Sequence, residues 1–186
     1  MTKKRRNIGN KMKFKIKKLS PKDTAYMDLL RLTRSGEIAK IGLGEVGKIV
    51  TRLYPDKDSD TLSDISLAWA STSPKVLTRL AEKEHPEINY ALVHNAHSPP
   101  EALDIILKRS NSPITRGMAA QHEHAPSEAL GDAVTSGHVF EQLEALANPN
   151  TPLNAVLGKI SDPDEDVQAA LELRFRRMLR KKPDKK

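Results

Sequence analysis

Apolar positions along this chain come in short groups at helical spacing, and prolines or acidic clusters separate the groups. The pattern is clearest from Leu146 to Leu171. Asn148-Pro149-Asn150-Thr151-Pro152 breaks the chain, since proline lacks an N–H and suits only the first turn of a helix. Thr151 stands where a hydroxyl can cap that helix. Ala155, Val156, Leu157 and Ile160 then predict a short helix with one apolar face. Asp162-Pro163-Asp164-Glu165-Asp166 makes a second break, with acids placed at the positive end of the next helix. That helix opens at Val167, and Ala170, Leu171, Phe175 and Met178 share a side.

The same order of signals recurs upstream. Pro74, Pro99, Pro126 and Pro152 precede the first helix of each copy, in steps of 25, 27 and 26 residues. Ile65, Ile88, Ile114, Val139 and Val167 are read as opening the second. Small residues follow three places later at Ala68, Ala91, Gly117 and Ala170, with Gln142 as the exception. A unit this short cannot bury its own apolar face, so the reading requires stacking of copies. The expected fold is all-α, a right-handed α-solenoid of repeats of about 25–28 residues behind an N-terminal helical cap. Trp69, Leu77, Leu80, Leu92, Leu103, Ile106, Leu107, Met118, Leu130, Val134, Leu143 and Leu157 are the expected core.

The segment 148–152, followed by Asp162-Pro163-Asp164, Val167 and Ala169-Ala170, resembles the leucine-rich repeat variant family and is close to HEAT-like α-solenoids. The resemblance covers about residues 62–172. Asn148 is matched by Asn95, but Ala70 and His122 hold the place elsewhere. Gln168 stands where the family usually has arginine. Some members carry a cysteine-bound iron–sulfur cluster, and this chain has no cysteine, so that cofactor is not carried over. The family shares no catalytic residues. The resemblance implies a binding scaffold.

Four segments are expected: a basic arm at 1–19, a helical cap at 20–61, the repeats at 62–180 and a basic tail at 181–186. In the cap, Ser20-Pro21-Lys22-Asp23 reads as a helix start, with Tyr26, Leu29, Leu30 and Leu32 apolar and Ser35-Gly36 as the stop. A second helix is expected over about 37–53, carrying Ile38, Ile41, Val46, Ile49, Val50 and Leu53. Gly42-Leu43-Gly44-Glu45-Val46-Gly47 inside it has the G-x-G-x-x-G form. A dinucleotide site needs a strand before that motif and a helix after it. Residues 37–41 make a poor strand, so the motif reads better as a break between helices.

Charge changes the picture at the ends. The net +7 divides into +10 over residues 1–22, −10 over 23–173 and +7 over 174–186. A polyanion would meet the termini first. Lys3, Lys4, Arg5, Arg6, Lys13, Lys15 and Lys17, with Arg176, Arg177, Arg180 and Lys181, are the candidate anion-binding or nucleic-acid-binding residues. At 4% aromatic content, contacts would go to phosphate rather than to stacked bases.

Absence of cysteine removes disulfides, thiol nucleophiles and thiolate metal sites, and suits a cytoplasmic setting. No apolar run is long enough for a transmembrane segment. The sequence contains no G-x-S-x-G, H-E-x-x-H or phosphate loop, so no catalytic residues are assigned and no enzyme is expected. His94, His97, His122 and His124 fall in equivalent turns and are the candidate metal ligands. The competing reading is turn capping, as for Asn150. No cofactor and no small-molecule ligand are expected. The functional expectation is a non-enzymatic module that binds a protein partner, with nucleic acid as the second candidate.

Overall fold

A computed structural model describes residues 19–180. The arm residues Lys3, Lys4, Arg5, Arg6, Lys13, Lys15 and Lys17, and Lys181 of the tail, lie outside them. Eleven helices and no strand occur among the described residues: α1 (Pro21–Arg34), α2 (Leu43–Leu53), α3 (Ser59–Ala70), α4 (Pro74–Ala81), α5 (Pro86–His94), α6 (Pro100–Arg109), α7 (Pro113–Gln121), α8 (Ser127–Ala133), α9 (Val139–Ala147), α10 (Leu153–Leu157) and α11 (Glu165–Arg180). The all-α expectation therefore holds.

The helix starts follow from local chemistry. Ser20 and Asp23 form a reciprocal capping box with Pro21 in the first turn of α1. Asp58 caps α3 by accepting from the Thr61 N–H. Pro74, Pro86, Pro100 and Pro113 occupy first-turn positions. Asp164 accepts from the N–H groups of Asp166 and Val167, so α11 begins at Glu165, earlier than the apolar pattern marks.

Helices of odd number pack in succession: α3 on α5, α5 on α7, α7 on α9 and α9 on α11. Helices α4, α6 and α8 pack in the same way beside them. Helix α1 packs on α2, and α2 on α3. One continuous core results, in which Trp69 and Leu103 are both fully buried. Leu77, Leu80, Leu92, Ile106, Leu107, Leu130 and Val134 join them as expected.

Several expectations need correction. The second cap helix begins at Leu43, not near residue 37, because Gly42 takes a left-handed backbone with φ 79° and residues 37–40 form turns. Met118 and Leu143 are only half-buried, and Leu157 is exposed. Leu157 and Ile160 sit on or just after the five-residue α10, where only Val156 is fully covered. Thr151 does not cap α10. Its hydroxyl donates back to the carbonyl of Ala145 in α9.

The register of the second helices also shifts. Ile114 and Val139 are exposed, while Thr115 and Glu141 are buried. Thr115 and Glu141 thus take the places held by Ile88 and Val167. Glu141 is tolerated there because the Arg116 Nε–H donates to it at 2.9 Å and Arg116 Nη1 also reaches the Ser110 carbonyl at 2.6 Å. Apolar periodicity misleads at these two helices because a buried ion pair stands in for an aliphatic contact.

Candidate functional site

The turns after α5, α7 and α9 carry a line of polar side chains that ties each helix to the one before it. Asn95 Nδ2 donates to the carbonyls of Ala68 and Ser71, both at 2.9 Å. His122 Nε2 lies 3.0 Å from the Asn95 carbonyl. Asn148 Nδ2 donates to the carbonyls of Ala120 and His122 at 2.6 and 2.9 Å. Arg174 donates to the carbonyls of Asn148, Pro149 and Thr151. The separations from Asn95 to Ala68, His122 to Asn95, Asn148 to His122 and Arg174 to Asn148 are 27, 27, 26 and 26 residues.

Each rung serves carbonyls that a helix C-terminus leaves without an intrahelical partner. The Asn95 and Asn148 carboxamide oxygens also accept from the N–H groups of His97 and Asn150, both at 2.9 Å. A single carboxamide therefore fixes its own turn and the preceding helix end. Each such bond contributes on the order of 1 kcal/mol, and a buried carbonyl left bare costs more.

His122 takes the part of an asparagine in this line. A carbonyl can only accept, so its Nε2 carries the proton, and its Nδ1 accepts from the His124 N–H at 3.1 Å. Both ring nitrogens are thereby engaged. Burial depresses the His122 pKa, more than its bond to Asn95 opposes the shift. His124 Nδ1 lies 3.0 Å from the Ser98 carbonyl and so donates to it.

His97 and His124 are exposed and share a groove of about 630 Å³ with Asn150 and with Pro74, Pro99 and Pro126. His94 lies elsewhere, stacked on Trp69 with ring centroids 5.5 Å apart. Burial, then the Arg34 cation, then His122 push its pKa down to about 4. The four histidines are thus divided between an aromatic cluster, a turn bond and an open groove. Among the described residues, no group of three or more His, Asp or Glu is placed to hold a metal ion.

All three tyrosines and the one tryptophan meet near the start of the helix row. Tyr26 of α1 and Tyr90 of α5 share a hydrogen bond between their hydroxyls, and the Tyr90 ring meets His94 edge-on at 4.8 Å. Burial and the Tyr26 hydroxyl raise the Tyr90 pKa; burial and Glu87 push that of Tyr54 up to about 12. The Trp69 Nε1–H and the His94 Nε2 are buried without a hydrogen-bond partner. The G-x-G-x-x-G stretch lies at the start of α2, after turns rather than a strand. Gly42 supplies a left-handed residue, and a Cβ at Gly47 would come within 3.8 Å of the Ser66 hydroxyl, which is helix packing and not a phosphate cradle.

Arg176, Arg177 and Arg180 lie exposed on α11, and Arg176 pairs with Glu172. Sequence reasoning placed Arg174 in the same basic stretch, yet its side chain is buried. It passes into the α9–α11 junction as the last rung of the polar line. The asparagine register 95-122-148 would have located it, since 26 places beyond Asn148 falls on Arg174. No helix of the described residues is long and apolar enough to cross a membrane. Compared with protein-family models, curated proteins and solved structures, the chain matches none.

Proposed function

We propose that the chain is a right-handed α-solenoid, a helical cap over 20–61 followed by leucine-rich-repeat-variant-like or HEAT-like units over 62–180, and that it is a non-enzymatic module binding a protein partner in the cytoplasm. Its basic termini add electrostatic attachment. The observation that carries the reading is the polar line from Asn95 to Arg174. Its buried donors serve helix ends at a near-constant separation of 26–28 residues. Polar groups in these turns hold layers together instead of converging on a reaction centre. Such stacked layers present a broad, rigid side surface, which is what a protein partner needs.

Capture by the full-length protein from a native-host extract, followed by cross-linking and mass spectrometry, tests the reading. A defined protein cross-linked to residues within 62–180 after nuclease treatment is the expected result. Capture that disappears with nuclease rejects it in favour of the second reading. That alternative is a nucleic-acid-associated protein gripping phosphates through its ends, and the exposed Arg176, Arg177 and Arg180 favour it. Removal of residues 1–19 and 181–186 then abolishes a salt-sensitive DNA or RNA shift. No shift by the full-length protein at low salt excludes it.

A further inference from the structure

The rungs of the polar line put neighbouring helices in register. Counting back from Asn95, His122, Asn148 and Arg174, the residues His94, Gln121, Ala147 and Leu173 fall on one line. Tyr90, Gly117, Leu143 and Ala169 form a second, and Glu87, Ile114, Phe140 and Asp166 a third. These lines define one face of the row α5, α7, α9, α11.

At the start of the row that face is covered. Tyr26 of α1 lies on Tyr90, Arg34 at the end of α1 sits close enough to His94 to depress its pKa, and Trp69 beneath has no exposed surface. Farther along, the face carries bare apolar side chains beside the exposed Gln121 and Asp166. Ile114 is 60% exposed, Phe140 43% and Leu173 55%. Gly117 has no side chain to lift the Phe140 ring away, and a Cβ there would overlap that ring. The ring therefore sits against the α7 backbone at Gly117.

Beside this stripe a groove of about 540 Å³ is lined by Ala147, Pro149, Arg174, Arg177 and Met178. Arg174 is buried with carbonyls as its only partners, and its Nε–H has none. Among the described residues Arg177 makes no ion pair. Glu172, one turn before on α11, is already paired with Arg176. The groove therefore offers two cations to an acid from outside.

We propose that the face of α7, α9 and α11 is a docking site for an acidic amphipathic helix of a partner protein. Its apolar side would lie along Ile114, Phe140 and Leu173, and a carboxylate would enter the groove at Arg177, above Arg174. Three helices about 10 Å apart span about 20 Å. A helix rising about 1.5 Å per residue crosses that distance in about 13 residues, close to the 14 of α1. Amphipathic helices bind apolar faces through apolar anchors, with charge setting orientation and choice of partner. The proposal rests on the protein-binding reading and names its surface and partner chemistry.

The test uses full-length protein and three labelled synthetic peptides of about 18 residues, with fluorescence anisotropy as the readout. One has leucines at i, i+3, i+4 and i+7 spacing with glutamates between them. The second has lysines for the glutamates, and the third is a scramble of the first. Expected is saturable binding of the glutamate peptide only, weakened at least about tenfold by Leu173→Lys and by Arg177→Glu. Both positions are exposed, and unchanged melting curves establish that the variants fold. Equal binding of the lysine peptide, or indifference to both substitutions, overturns the proposal. So does a self-associating chain whose dimer Leu173→Lys dissolves, or a DNA duplex bound through Arg177 with no effect of Leu173→Lys. If extract capture survives both substitutions while the peptides do not bind, this site fails and the protein-binding reading stands.

Discussion

Asn148→Ala tests the polar line most directly. The substitution removes donors to the Ala120 and His122 carbonyls and the acceptor of the Asn150 N–H. Asn148 is 3% exposed, so water does not readily replace the lost partners. Three bonds at about 1 kcal/mol each, with added cost for the bared Ala120 carbonyl while that of His122 keeps the Ala125 N–H, give a loss of about 3 kcal/mol. A domain has about 5–15 kcal/mol in total, so the variant should sit near the edge of folding at physiological temperature. Urea unfolding monitored by far-ultraviolet circular dichroism measures the loss, with exposed Asn154→Ala as a control expected within about 0.5 kcal/mol. Asn148→Asp, which keeps the acceptor but sets a carboxylate against two carbonyls, should be no better than alanine. A loss below about 1 kcal/mol for Asn148→Ala would falsify the view that this line holds the helix row together.

Neighbouring residues carry further expectations. His94 is held neutral in the fold, with a pKa of about 4 against an ordinary 6.5. The unfolded chain therefore takes up this proton at a higher pH than the folded one. The stability linked to neutral His94 is complete above about pH 6.5 and shrinks as pH falls toward 4, by at most about 3 kcal/mol. Melts across that window should show a steeper acid loss in the native chain than in His94→Phe; parallel curves refute the assignment. Glu141→Ala should cost about 3 kcal/mol by leaving Arg116 buried and unpaired. Arg116→Met with Glu141→Val should recover most of it, since Ile88 and Val167 hold the matching places, and a double-mutant cycle in urea reads both. Arg174→Met should lose about 2 kcal/mol by removing donors to carbonyls of the turn after α9, while exposed Arg177→Met stays within about 0.5 kcal/mol. Equal effects of the two would place Arg174 on the surface.

Helix content and most helix starts were legible in the sequence because they depend on neighbours along the chain. Proline fixes φ wherever it stands, and Ser20 caps the first turn of α1, whereas the Asp58 cap that starts α3 at Ser59 lies ahead of the apolar Ile65 taken as that helix's opening. The alternation of short apolar groups with Pro- and Asp-rich breaks likewise gave an all-α chain and most of the core. The cation-rich C-terminal helix was legible by composition alone.

Tertiary structure decided which of those side chains face one another. Asn95, His122 and Asn148 look like turn residues in a linear reading. Their partners lie 24–28 residues away, and only packing of successive helices brings them within reach. Arg174, one cation of the basic 174–186 stretch in a linear reading, is a buried rung for the same reason. Thr115 and Glu141 sit in aliphatic places because Arg116 folds across to satisfy the carboxylate, a contact no periodicity encodes. Burial is a property of two surfaces meeting, and the chain specifies each surface separately. That is why the apolar side chains of Ile114, Phe140 and Leu173 stand open, while Tyr90 at the other end of the row meets Tyr26 of α1.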